Sequence, residues 1–293
     1  MTQSAHTMFR PPAEAGSVLI RVADGCPHNA CAFCAMYRSV PYRVHDRAEV
    51  EHDIKLAAGR HPGARRVFLA DGDVLALPAP ALQDILTQLG QIFPRLARVN
   101  CYASGQAMAN KSEAQLRQLR RQGMHTLYVG LESGSDEVLR RMGKGGTVSD
   151  AVDGCIRARN AGLSVSVMVL VGIGGRELSA THVNQTAMAL NAMQPDLLSC
   201  LRLIPVPDTP LARRIAAGRF IPLSQEESVL ELRALLSKLR LKSTVFRADH
   251  SSNVLPLSGR LPRDRDRMLE ELDELLQCQV LDKAGPGPMP AAL

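Results

Sequence analysis

The 293-residue sequence predicts an α/β protein built on a parallel sheet, and three observations carry that prediction. Short β-rich, apolar runs alternate with longer amphipathic stretches. The runs begin at intervals of about 30 to 50 residues, the length of a strand, a helix and two turns. Polar capping residues and glycines stand where the intervening helices would begin and end. Six such βα units suit either an open doubly wound sheet or a partial barrel, and periodicity alone does not choose between them.

The runs are Val18 to Val22, Arg66 to Ala70, Arg98 to Ala103, Thr126 to Glu132, Ser164 to Val171 and Leu197 to Ile204. Between them, Asp46 followed by Glu49, Ser112 by Gln115 and Ser224 by Glu227 have the spacing of capping boxes, in which two side chains satisfy the free N–H groups of a helix start. Gly123, Gly143 and Gly162 are placed to end helices. After Pro210 the pattern turns helical, with Leu223 to Lys242 and Arg263 to Leu281 joined by a connector over 243–262. The expected organisation is a flexible leader (1–15), a core (16–210), a helical C-terminal extension (211–282) and a flexible Pro/Gly tail (283–293).

Composition narrows the function. Hydrophobic content of 45% and charged content of 22% are ordinary for a globular protein, and no run is long and apolar enough to span a membrane. No apolar signal segment opens the chain, so the expected compartment is the cytoplasm, where thiols stay reduced. A formal charge of +6 admits an anionic partner. Aromatics are only 3%, however, and the arginines are spread along helices, so solvated helix faces explain the charge better than a nucleic-acid surface.

Three of the seven cysteines, Cys26, Cys31 and Cys34, fall within nine residues directly after the first apolar run. Three thiolates on one loop can close round a four-iron cluster and leave one iron open to a chelating ligand. A zinc knuckle that adds His28 is the rival, although zinc modules usually bring a second ligand pair from elsewhere in the chain. Cys155, Cys200 and Cys278 lack metal spacing, and no second cluster is expected. The text GCPHNACAFCAMYR resembles the cluster loop of the radical S-adenosylmethionine (SAM) superfamily, with Phe33 as the aromatic before the last cysteine and a C-x4-C spacing in place of the usual C-x3-C. A second stretch, GLESGSDEVLRRMGKG, resembles the corresponding segment of the radical SAM enzymes related to anaerobic coproporphyrinogen oxidase, tRNA methylthiotransferases and the elongator-type catalytic subunit.

The resemblance implies a partial (β/α)6 TIM-like barrel with the cluster loop after the first strand and SAM lying across the strands' carboxyl ends. Cys26, Cys31 and Cys34 would hold a [4Fe-4S] cluster, and SAM would be cleaved reductively to methionine and a 5′-deoxyadenosyl radical. By the same resemblance Phe33, Gly72, Asp73, Ser104, Glu132, Arg140, Gly172 and Gly174 are candidate SAM-binding residues. Their chemistry is consistent with that role. Asp71-Gly72-Asp73 ends a strand with two carboxylates for an ammonium and a glycine that permits close approach. Ser104 closes the third run. Glu132 ends an apolar strand, where it can meet ribose hydroxyls or an ammonium, and Arg140 can clamp a carboxylate. Gly172-Ile173-Gly174 is a glycine turn between strand and helix in which only Gly172 matches the family's letters. Against these stand an ordinary turn at Asp71–Asp73, a solvated helix arginine at Arg140 and a core thiol at Cys101.

The function expected is that of a radical SAM enzyme of unassigned substrate, a small molecule rather than tRNA, with an electron donor such as flavodoxin or ferredoxin. A non-enzymatic iron–sulfur or haem carrier that keeps the fold is the alternative, and a zinc-binding scaffold is the third reading.

Overall fold

The computed structural model describes residues 7–287. The strands, in chain order, are β1 (Val18–Arg21), β2 (Ala23–Asp24), β3 (Arg43–Val44), β4 (Arg66–Ala70), β5 (Arg98–Ala103), β6 (Met124–Glu132), β7 (Ser164–Val171), β8 (Leu197–Arg202), β9 (Thr244–Ala248) and β10 (Leu257–Leu261). The helices are α1 (Arg47–Arg60), α2 (Ala79–Ile92), α3 (Gly105–Ala109), α4 (Glu113–Arg121), α5 (Asp136–Arg141), α6 (Val148–Asn160), α7 (Gly175–Met193), α8 (Pro210–Ala216), α9 (Gln225–Lys238) and α10 (Arg265–Gln277). The main sheet has the order β1-β4-β5-β6-β7-β8-β9-β10. Pairs β1–β4, β4–β5, β5–β6, β7–β8 and β8–β9 are parallel, and β9–β10 is antiparallel. Among the described residues no helix is long and apolar enough to cross a membrane.

The capping signals act as the sequence predicts. Asp46, Ser112 and Ser224 each accept the N–H of the residue three positions on, and Glu49, Gln115 and Glu227 each bond back to the cap's own N–H. A cap of this kind contributes about 1 kcal/mol. Gly123, Gly143 and Gly162 take positive φ after α4, α5 and α6, a conformation that ends a helix without a Cβ penalty.

The chain forms two compact units. The first comprises Met1–Asn29, Met36–Val129 and Gly154–Val165. Consecutive residues Val67, Phe68, Leu69 and Ala70 of β4 are all fully buried, as parallel strands covered on both faces require. Phe68, Tyr102 and Tyr128 pack edge to face, with Phe68 and Tyr102 centroids 5.1 Å apart. Within the stretch assigned to the leader, Glu14 ends a short 3-10 turn and is buried, accepting hydrogen bonds from Ser17, Tyr128 and, at 2.9 Å, Asn100. The outer leader (1–6) and the outer tail (288–293) lie outside the described residues.

The second unit comprises Ala30–Ala35, Gly130–Asp153 and Ser166–Leu293. It departs from the expected helical extension, because the 243–262 connector holds the hairpin β9–β10 and β9 extends the parallel register from β8. Thr244, Phe246 and Ala248 are buried while the residues between them are not, the period-2 pattern of a strand in a run too short to stand out from a polar connector. The polar residues after β9 are tied to β8, Asn253 Nδ2 donating to the Cys200 carbonyl at 2.9 Å and Arg202 Nε to the Ser252 carbonyl at 2.6 Å. The near end of the tail is bonded as well, Gln225 N–H donating to the Gly285 carbonyl at 3.0 Å.

Candidate functional site

In the first unit the cysteine loop leaves the sheet through a clasp. β2 and β3 pair antiparallel, and buried Asp24 meets Arg43 at 3.2 Å and His45 at 3.1 Å. Gly25 follows at a φ of 73°, and its carbonyl accepts the Gly72 N–H at 3.1 Å. Cys26 therefore lies directly against the turn that ends β4. A Cβ on Gly72 would stand 2.6 Å from Cys26 Cβ and 2.9 Å from Cys26 Cα, so only glycine fits. The carboxylates flanking Gly72 have different surroundings. Asp71 is buried and accepts the Tyr37 hydroxyl at 2.9 Å; burial and then this neighbouring carboxylate push the Tyr37 phenol far above its ordinary range. Asp71 thereby anchors the far end of the cysteine loop. Asp73 Oδ1 accepts the Ser104 N–H at 3.2 Å, and the Ser104 oxygen caps α3 by accepting the Ala107 N–H at 3.0 Å.

In the second unit the segment between Cys31 and Cys34 is pinned through its backbone. The Ala32 N–H donates to the Met142 carbonyl at 2.7 Å, and the Ala32 carbonyl accepts the Leu211 N–H at 3.0 Å. Phe33 packs against a core of Val138, Met142, Ile173, Leu203 and Leu211, which fixes the backbone carrying both thiols. Glu132 stands at the end of β6 with a φ of 61°. Its partner is Lys144, whose Nζ lies 3.1 Å from Oε1, with side chains 13% and 17% exposed respectively. Gly130 leaves room for this pair, since a Cβ there would come within 2.4 Å of Glu132 Oε1. Arg140, a candidate SAM contact with a solvated helix arginine as its alternative, lies on the helix face with 72% exposure and bonds Glu137. Lys144 is the residue that sequence reasoning missed: α5 turns the chain back so that a cation twelve positions downstream returns to the strand end.

Gly172, at a φ of 87°, donates its N–H to Glu231 Oε1 at 2.6 Å, and Gly174 is the residue before α7. Glu231 also accepts the Ser179 hydroxyl and lies 3.7 Å from His182 Nε2. On its other side the His182 ring meets Ser133 Oγ at 2.8 Å, and Gly134 N–H donates to Thr186 Oγ1 at 2.8 Å. A buried polar chain thus joins the residue after Glu132 to the turn after β7. Burial lowers His182 to about 4 and raises Glu231 to about 7.

The donor set suits an iron–sulfur cluster. Cys26, Cys31 and Cys34 are half-buried on one loop and form no disulfide. Cys101, Cys155 and Cys200 are buried, and burial holds all three thiols up, Cys155 and Cys200 to about 12, as expected of core residues. Among the described residues no three His, Cys, Asp or Glu side chains are already gathered at ligating geometry.

Comparison with known proteins bears on the family and the fold. The family model of the radical SAM superfamily matches residues 20–182. The heme chaperone HemW of Bacillus subtilis is 22% identical over 186 residues, covering 63% of this chain and 48% of that protein, so the chain spans about half the length of this curated relative. Among solved structures, coproporphyrinogen III oxidase (HemN) from Escherichia coli, a radical SAM enzyme, aligns with a TM-score of 0.57 at 15% identity over 75% of this chain and 51% of that one. Methylornithine synthase (PylB) aligns with a TM-score of 0.51 at 16% identity over 92% and 83%. The methyltransferase TsrM from Kitasatospora setae, solved with cobalamin and a [4Fe-4S] cluster bound, aligns with a TM-score of 0.56 at 19% identity over 69% and 39%. These structural likenesses are of fold, a TIM-like α/β barrel type. The family match covers more than half of the sequence, and this chain belongs to the radical SAM superfamily.

Proposed function

We propose that the chain is an enzyme that binds a [4Fe-4S] cluster through Cys26, Cys31 and Cys34 and cleaves SAM reductively to act on an unassigned substrate. The observation that carries this reading is the trio of half-buried thiols, none of them in a disulfide, on one clasped loop in a member of this superfamily. When bound, the cluster supplies the electron that splits the SAM sulfonium to methionine and a 5′-deoxyadenosyl radical, leaving the protein to position and shelter the reactants. The chain's own residues then divide the binding. Gly72 admits close approach beside Cys26, Asp73 offers a carboxylate to the SAM ammonium, and Ser104 keeps its hydroxyl hydrogen to donate. Glu132 and Lys144 offer an acceptor for ribose hydroxyls and a cation for a carboxylate. Gly172 and Gly174 present bare backbone. Arg140 would have to release Glu137 to join them.

The scarcity of aromatics favours a small-molecule substrate over tRNA, and a flavodoxin or ferredoxin in the cytoplasm is the proposed reductant. The test is 5′-deoxyadenosine formation by anaerobically reconstituted protein supplied with dithionite and SAM, beside the Cys26→Ala, Cys31→Ala, Cys34→Ala triple variant. Product from the wild type alone supports the reading. Its absence from fully loaded protein points to the second reading, a haem carrier, which the likeness to a heme chaperone supports. That reading requires a haem Soret band on mixing with haem.

A further inference from the structure

We propose that a groove bordered by α5, the start of α7 and the turn after α8 docks an acidic one-electron carrier protein that reduces the cluster, an inference that rests on the cluster-binding reading above. The groove lies wholly within the second unit and has a volume of about 520 Å³. Five arginines line it: Arg140, Arg141, Arg176, Arg214 and Arg219. Three carboxylates answer them. Glu137 takes Arg140 and Arg141, Glu177 takes Arg141 again, and Glu227 takes Arg176. Arg214 is bonded to the Arg141 carbonyl, an uncharged partner. Among the described residues neither Arg214 nor Arg219 meets a carboxylate, so five guanidiniums against three carboxylates leave a local surplus of two positive charges.

The floor identifies the class of partner. Beneath the arginines lie Val138, Met142, Ile173, Leu178 and Phe220, and Ile221 at the edge is 56% exposed. An apolar floor inside a cationic rim is the anatomy of a protein interface, in which arginine is enriched. A single aromatic offers no platform for stacked bases, so single-stranded nucleic acid is the poorer fit.

The position identifies the task. Met142 lines the groove and its carbonyl holds the N–H of Ala32, the residue next to Cys31. Phe33, next to Cys34, packs on the same apolar cluster as Leu178 and Phe220. A carrier seated on the arginines therefore rests on the residues that support the thiolate loop. In the transfer the carrier loses one electron and the cluster gains it, and no bond in the chain is made or broken.

The experiment measures binding of oxidised flavodoxin to the cluster-loaded protein at low and raised salt, for the wild type, Arg219→Glu and Arg117→Glu. Arg117 carries the same charge on α4 in the first unit. The expected result is salt-sensitive binding that Arg219→Glu weakens about tenfold and Arg117→Glu leaves nearly unchanged. Dithionite, which needs no docking, should reduce the cluster equally in all three proteins. No flavodoxin binding, or equal weakening by both variants, overturns the docking surface. Binding of an unstructured RNA that is lost in Arg219→Glu while flavodoxin binding persists overturns it too. A wild type that holds no dithionite-reducible cluster overturns the cluster reading instead, which keeps the two failures apart.

Discussion

Lys144 Nζ lies 3.1 Å from Glu132 Oε1, the two side chains folded into the space that Gly130 leaves open at the end of β6. Removing the cation would strand a largely buried carboxylate, a loss of about 1–3 kcal/mol. The Arg140–Glu137 pair lies on an exposed helix face, where such contacts contribute little. Lys144→Met is therefore expected to weaken SAM binding by about tenfold or more by calorimetry, whereas Arg140→Met leaves it nearly unchanged. The reverse order would remove Lys144 from the site and restore Arg140 to it.

Gly72 makes a prediction about the cluster itself. An added Cβ would meet Cys26 Cβ and Cα at 2.6 and 2.9 Å and the Gly25 carbonyl at 2.9 Å, all of them atoms with little freedom to yield. Gly72→Ala should displace Cys26 and lower the iron and sulfide retained after reconstitution severalfold, while the circular dichroism spectrum of the apoprotein stays as in the wild type. Full iron retention would show that the loop has slack between Gly25 and Cys26.

Thiol labelling offers a test that needs no substrate. In the apoprotein Cys26, Cys31, Cys34 and exposed Cys278 should alkylate readily near pH 8, and the buried Cys101, Cys155 and Cys200 should resist until the chain unfolds. Cluster loading should protect the three loop cysteines and leave Cys278 reactive, and chelation of the iron should restore the apoprotein pattern. Protection of only two would sink the three-thiolate assignment.

What the sequence made legible was local. The strand runs at Arg66–Ala70, Arg98–Ala103 and Ser164–Val171 coincide with β4, β5 and β7, because each is a short, largely apolar run set between helical stretches, a signal closed within a few residues. The capping boxes at Asp46, Ser112 and Ser224 were equally visible, being closed within four residues. What stayed hidden depends on tertiary contact. The Lys144–Glu132 pair needs α5 to fold the chain back, and the β9–β10 hairpin needs β8 beside it to make a strand of a polar connector. Glu231 reads as an ordinary helix glutamate, and only burial against Gly172, Ser179 and His182 sets it apart.

That burial has a measurable consequence. Burial raises Glu231 from 4.5 to about 7, with the bonds from Ser179 and Gly172 opposing it. The native state therefore binds more protons than the unfolded chain between those values. The stability Glu231 contributes is full below pH 4.5 and is lost as pH rises through 7. His182 behaves oppositely: burial lowers it from 6.5 to about 4, so its contribution is present above 6.5 and is lost as pH falls toward 4. In urea unfolding, Glu231→Gln should thus gain on the wild type as pH rises from 4.5 to 8, by up to about 3 kcal/mol. His182→Gln should gain on it in the opposite direction, as pH falls from 7 to 4. A pH-independent difference for Glu231→Gln would mean that the carboxyl is already ionised in the native core, with its charge held by His182 and the Gly172 N–H.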